Sequence, residues 1–216
     1  MLDQSSSLCD WAVKVCPEES RIWLEERLSA ARQGRAEDVF LLFSAAGRRL
    51  GCSAASVTVS GIDASRWRAQ DVGRVAALST LLSVVPSQAH ASLVEDLYFR
   101  GSTDERRAVL LFLPLAQAAQ QWLDLAVEAC RTNTLPLFES IACENTYPAR
   151  YFGEAQFNQL VLKTMFLDLD VQRIAQLTAR ITPQLILDLD DFRREREAAG
   201  RDVPAGIFWI LEKASS

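Results

Sequence analysis

Trp122, Leu125, Ala126, Ala129 and Cys130 stand at i, i+3, i+4, i+7 and i+8, with Gln121, Asp124 and Glu128 between them. Only a helix puts those five side chains on one face and the polar three on the other. The same period recurs along the chain, punctuated by Gly and Pro. Ile22, Trp23, Leu24 and Leu28 predict a helix ending at Gly34, and Val39, Phe40, Phe43 and Leu50 a second ending at Gly51. Further helices are expected over 69–84, stopped before Pro86, and over 88–99, stopped by Gly101. In "STDE", Ser102 and Glu105 have capping-box spacing and fix the start of a helix running toward Pro114. Another should run from Leu135 to Cys143 and bury Leu137, Phe138 and Ile141. Period-two alternation is confined to Val57 and Val59 in "CSAASVTVSG", too short for a strand, so that segment reads as a linker. The expectation is an all-α fold: an irregular stack of antiparallel helix pairs, a HEAT/armadillo-like α-solenoid without a clean repeat.

A chain of 216 residues can bury a substantial core, and a single helical domain over 1–216 is expected. Nucleic acid is excluded as a partner by the net charge of −5, since phosphate binding draws on clustered Lys and Arg. Cys9, Cys16, Cys52, Cys130 and Cys143 are scattered with no C-x-x-C pair, which indicates neither a disulfide framework nor a thiolate zinc site. They read as small buried apolar residues in a reducing compartment. The opening "MLDQSSSLCDWAVKVCP" lacks the basic start and apolar run of a secretory signal. The longest apolar stretch, "AVLLFLPLAQAA", is broken by Pro114 and is shorter than the roughly 20 residues of a membrane span. A cytoplasmic protein without membrane insertion is expected.

The densest chemistry lies in "ENTYPARYFGEAQFNQLVLKTMF", Glu144 to Phe166. Pro148 disfavours helix at Tyr147, and Gly153 is a natural break, so the long helix should begin near Glu154. At 100° per residue, Gln156, Gln159 and Lys163 form one polar stripe facing water. Asn158 falls instead between Leu162 and Met165 on the apolar side. A buried amide there needs partners, and the preceding turn is the nearest source of unpaired backbone, so Asn158 is expected to pin it. Tyr147, Tyr151 and Phe152 should pack as core or wedge.

His90 is the only histidine, which leaves an imidazole metal site without a second ligand. No G-x-S-x-G, H-E-x-x-H or phosphate-cradling glycine loop occurs, so no catalytic residue, metal or cofactor is assigned. Asp168 with Asp170, and Asp188 with Asp190 and Asp191, could hold Mg²⁺ against a diphosphate as aspartate-rich helices do. The simpler reading makes Asp170 a helix N-cap and Asp188 and Asp191 a solvated face.

"CRTNTLPLFESIACENTYPARYFGEAQFNQLVLKTMFLDLDVQRI" and the closing "REREAAGRDVPAGIFWIL" resemble the EboA-domain family over about residues 130–211. The shared pattern is R-T-N, F-E, N-x-Y-P and an (F/W)-N-Q-x-(V/I)-L-K helix, with Thr146 standing where the family commonly has Pro. It maps onto Arg131, Thr132, Asn133, Phe138, Glu139, Asn145, Tyr147, Pro148, Phe152, Asn158, Gln159 and Lys163. The resemblance implies an all-helical, HEAT-like protein encoded in an ebo cluster, a gene group that makes or transports a metabolite precursor toward the periplasm. It carries over no catalytic residue. The ligand- or partner-binding candidates are Arg131, Asn133, Asn145, Tyr147, Asn158, Gln159 and Lys163 from these positions, with Tyr151 of the same turn. Expected partners are other ebo-cluster proteins or a small metabolite, served by a non-enzymatic scaffold, adaptor or metabolite-binding protein. The alternative is an enzyme acting on a phosphorylated or prenylated metabolite through Lys163, Arg131 and the acidic residues. A pocket at Asn158 would favour ligand binding or catalysis, and a filled core there the scaffold.

Overall fold

The structure, a computed structural model, describes residues 2–55, 58–59 and 62–214. It is all-α, with twelve α-helices among the described residues. A minimal antiparallel ladder pairs Thr58–Val59, within the segment expected to be a linker, with Ile62–Asp63 just after it. The chain clusters into two compact units, Met1–Ala126 and Val127–Ser216.

The first unit contains α1 (Leu2–Val15), α2 (Arg21–Arg32), α3 (Ala36–Arg49), α4 (Ala69–Val84), α5 (His90–Phe99) and α6 (Thr103–Phe112). Helices α2 to α6 fall where the periodicity places them. Glu105 does reach back at the start of α6, accepting from the Ser102 N–H at 2.6 Å. α1 was not foreseen: three consecutive serines blur its stripe, yet Leu8, Cys9, Trp11 and Ala12 are buried. α4 is the centre of the unit and packs against α1, α2, α3 and α6. Every residue of α4 except Ser79, Ser83 and Val84 is buried, because apolar or small side chains occur all round it. Gly73 lets that helix approach its neighbours, since a Cβ there would stand 2.3 Å from Leu50 Cδ1.

α4 also carries charge into the core. Asp71, fully buried, accepts from the Arg68 N–H at 2.9 Å and from the Arg68 and Arg107 guanidiniums at 3.0 and 3.2 Å. Arg68 also binds Asp104 at 2.7 Å, while Arg74 donates to the Phe43 carbonyl and to Gln70. A carboxylate at such depth survives only because donors surround it.

In the second unit α7 (Leu123–Arg131) enters from the first, followed by α8 (Leu135–Ala142), α9 (Tyr147–Tyr151) and α10 (Glu154–Phe166). Two 3₁₀ turns, Val171–Arg173 and Leu177–Arg180, lead to α11 (Pro183–Ala198) and α12 (Ala205–Ala214). α10 starts where Gly153 predicts, with Gln156 Oε1 accepting from the Gly153 N–H at 2.9 Å. The start of α11 is fixed by Pro183 at its first position and by Thr182 Oγ1, which accepts from the Leu185 N–H at 3.2 Å. α11 has apolar residues on two sides: Leu185 and Leu189 are buried, and Leu187 is 60% exposed.

Candidate functional site

The turn before α10 is built from within and from a distant arginine. Asn145 is buried; its Nδ2 donates to the Ser140 carbonyl and its Oδ1 accepts from the Tyr147 N–H, both at 2.9 Å. That closes an Asx-type turn over the Pro148 segment. Arg180 donates to the carbonyls of Ala149 and, at 2.8 Å, Phe152, which satisfies the C-terminal end of α9, and its guanidinium lies 4.5 Å from the Phe157 ring centroid. Arg173 is gripped by two carboxylates, Glu139 at 2.7 Å and Glu144 at 2.6 Å, while its carbonyl accepts from the Glu144 N–H at 2.8 Å. Tyr147 is fully buried, and its ring lies 4.7 Å from that of Tyr151. Burial raises the Tyr147 phenol well above its ordinary value, so it is a neutral donor at any physiological pH.

Asn158 does face inward, as the helical angle predicts, but it does not pin the turn. Its Oδ1 is buried with no hydrogen-bond partner among the described residues. The side chains that do bind the turn's backbone are Asn145, at the Tyr147 N–H, and Arg180, at the Ala149 and Phe152 carbonyls. Asn158 is a buried residue of α10, 3% exposed, and does not line the cleft beside Lys163.

Lys163 also departs from its expected role on a water-facing stripe. Its ammonium donates to the carbonyls of Cys130 at 2.8 Å and Thr132 at 2.7 Å and lies 5.0 Å from the Phe138 ring centroid. Two of the carbonyls left open where α7 ends are thereby capped by a cation, favourable both as hydrogen bonding and against the helix dipole. The R-T-N segment is held in place by the lysine of the (F/W)-N-Q-x-(V/I)-L-K helix.

Beside this cap is a cleft of about 270 Å³ lined by Val127, Cys130, Arg131, Phe152, Gln156, Gln159, Leu160 and Lys163. No carboxylate lines it. Arg131 is 73% exposed, with only a 3.5 Å pairing to Glu128. Burial pushes the Cys130 thiol up to about 12 against the opposing pull of Lys163, so it is protonated at neutral pH.

Of the eight candidates, the structure brings Arg131, Gln159 and Lys163 to this one cleft. Asn145, Tyr147 and Tyr151 belong to the turn, Asn158 to the core, and Asn133 is exposed just beyond α7. Gln156 and Phe152 complete the cleft. The polar stripe could have found Gln156, whereas Arg173 and Arg180 have no sequence signal because their partners lie about thirty residues away.

Elsewhere, His90 Nε2 lies 3.1 Å from the Val85 carbonyl in a small cleft shared with Ser79 and Ser83. Asp170 accepts from the Gln172 N–H at 2.9 Å, the capping role read from sequence. Asp190 pairs with Arg193 and Arg194, both at 2.7 Å. Among the described residues no group of three or more His, Cys, Asp or Glu is placed to hold a metal ion. No helix of those residues is long and apolar enough to cross a membrane.

Fold and site together define an all-helical protein with an acid-free, cation-edged cleft beside a lysine-capped helix end. The family described as metabolite traffic protein EboA matches residues 4–212, and the chain belongs to that family. No curated protein and no solved structure matches it.

Proposed function

We propose that this chain handles a metabolite by binding it rather than by transforming it. It serves as a cytoplasmic helical scaffold or adaptor of an ebo-type pathway that makes a metabolite precursor or moves it toward the periplasm. The observation that carries this reading is the state of Lys163. Its two carbonyl bonds hold the side chain at the end of α7 and take up two of its three N–H donors, which leaves the third for a ligand. With Arg131 at the same cleft and no carboxylate in its lining, the ligand group that fits is an anion, a carboxylate or a phosphate. Gln156 and Gln159 supply neutral amide contacts, and Phe152, Leu160 and Val127 an apolar floor. Cys130, held as a thiol, offers no thiolate for covalent chemistry.

The test is to purify the protein from cells carrying the intact cluster and analyse the small molecules it retains by mass spectrometry. Wild type should carry an anionic compound in near-stoichiometric amount, and Arg131→Gln/Gln159→Leu should lose it while folding normally. Equal retention by the double variant would remove the cleft from the account.

A further inference from the structure

A second, larger groove, about 660 Å³, is lined by Gln159, Leu162, Lys163 and Phe166 of α10 and by Asp188, Asp191, Phe192 and Glu195 of α11. The spacing is i, i+3, i+4, i+7 on both helices. Each wall is therefore a continuous stripe two turns long, about 10 Å at 1.5 Å per residue. The floor is apolar: Leu162, Phe166 and Phe192, with Phe166 71% exposed and Leu187 of α11 60% exposed nearby in sequence. A large exposed aromatic in a two-helix trough has the shape that receives the apolar face of a third helix.

The charges say which kind. The acids of α11 that do not line the groove are neutralised on their own helix: Asp190 by Arg193 and Arg194, and Glu197 by Arg193 at 2.8 Å. The three that line it have no ion pair among the described residues; Asp188 accepts only from the neutral Gln184 amide at 2.8 Å. The one cation of the lining, Lys163, stands on the α10 wall, donates to the Cys130 and Thr132 carbonyls and pairs with none of the three acids. Arg196 stacks 5.7 Å from the Phe192 ring centroid but donates to the Asp202 carbonyl at 2.6 Å and does not line the groove. The α11 wall thus carries three carboxylates without an ion pair among the described residues, and the lining as a whole is net acidic, three acids to one lysine, over an apolar floor.

We infer that the groove between α10 and α11 docks an amphipathic helix of a partner protein, one whose apolar stripe is bordered by Lys or Arg. Leucine-like side chains cover Phe166, Leu162 and Phe192, and the basic border meets Asp188, Asp191 and Glu195. The groove shares Gln159 and Lys163 with the metabolite cleft, but Asp188, Asp191, Glu195 and Phe166, on which this assignment rests, do not line that cleft. Failure of one assignment leaves the other standing.

The experiment uses the full chain and three fluorescein-labelled 14-residue peptides read by anisotropy. One is a Lys/Leu peptide patterned as an amphipathic helix, one a Glu/Leu peptide of the same pattern, and one a scrambled Lys/Leu peptide. The patterned Lys/Leu peptide should bind at least tenfold more tightly than the other two. Its affinity should fall at least tenfold in Asp191→Asn/Glu195→Gln and in Phe166→Ser. The control Asp190→Asn/Glu197→Gln makes the same change in net charge off the groove and should stay within twofold of wild type. Equal weakening by the control pair would mean that net charge alone attracts the peptide and would overturn the assignment. So would absence of binding by all three peptides. A sedimentation-velocity dimer that dissolves in Phe166→Ser would assign the groove to a second copy of this chain and also overturn it.

Discussion

Asn145 and Asn158 are buried to the same 3% exposure, yet Asn145 uses both ends of its amide while Asn158 Oδ1 has no partner. The asymmetry makes opposite predictions for two similar substitutions. Asn145→Ala should strand the Ser140 carbonyl and the Tyr147 N–H, at about 1–3 kcal/mol for each buried group left unsatisfied. Asn158→Leu is close in volume and removes an orphaned polar atom, so urea unfolding should place it within about 1.5 kcal/mol of wild type. Lys163→Met should cost about 1–3 kcal/mol by uncapping Cys130 and Thr132, far more than a lysine on a solvated stripe would. A Lys163→Met protein as stable as wild type would show that the cap contributes nothing. Helical angle was enough to place Asn158 inward and Lys163 beside Gln159. It could not identify their partners, because a helical projection locates a side chain without showing what approaches from other elements.

Long-range arginines decide the geometry of the elements around the cleft. Arg180 satisfies the carbonyls ending α9, and Arg173 joins Glu139 of α8 to Glu144. Helix boundaries were legible because their signals are local: Gly153 and the Ser102–Glu105 pair. The arginine ties were not, since nothing in a sequence states which carboxylate 29 residues away an arginine will meet. In the first unit a similar tie sets a pH dependence. Burial pushes the Asp104 carboxyl up, but its hydrogen bond and attraction to Arg68, with help from Arg74 and Gln70, hold it below the ordinary 3.8. A depressed folded-state value means stabilisation that is present above 3.8 and is lost as pH falls through the lower value. The melting temperature of Asp104→Asn should therefore lie below wild type at neutral pH, and the gap should narrow only under strongly acidic conditions. A gap unchanged down to pH ~2 would mean that the charge on Asp104 is not what Arg68 recognises.

For the whole molecule, the all-α class follows from a helical period with almost no competing alternation, and far-UV circular dichroism should be helix-dominated. α1 escaped notice because of its serine run. The central position of α4 was within reach, since a helix apolar on every side has to be surrounded. The cleft was half legible: polar stripe and R-T-N segment could be read, but not that one caps the other. The account's central claim is that this assembly binds a metabolite without changing it. The most direct measurement incubates the purified chain with a metabolite extract from cells lacking this gene alone and follows bound and free small molecules by mass spectrometry over hours. The account predicts one anionic compound captured in proportion to protein, constant in mass, and released by Arg131→Gln. A new mass that accumulates beyond one equivalent per chain, and stops accumulating when Arg131 or Lys163 is replaced, would contradict it.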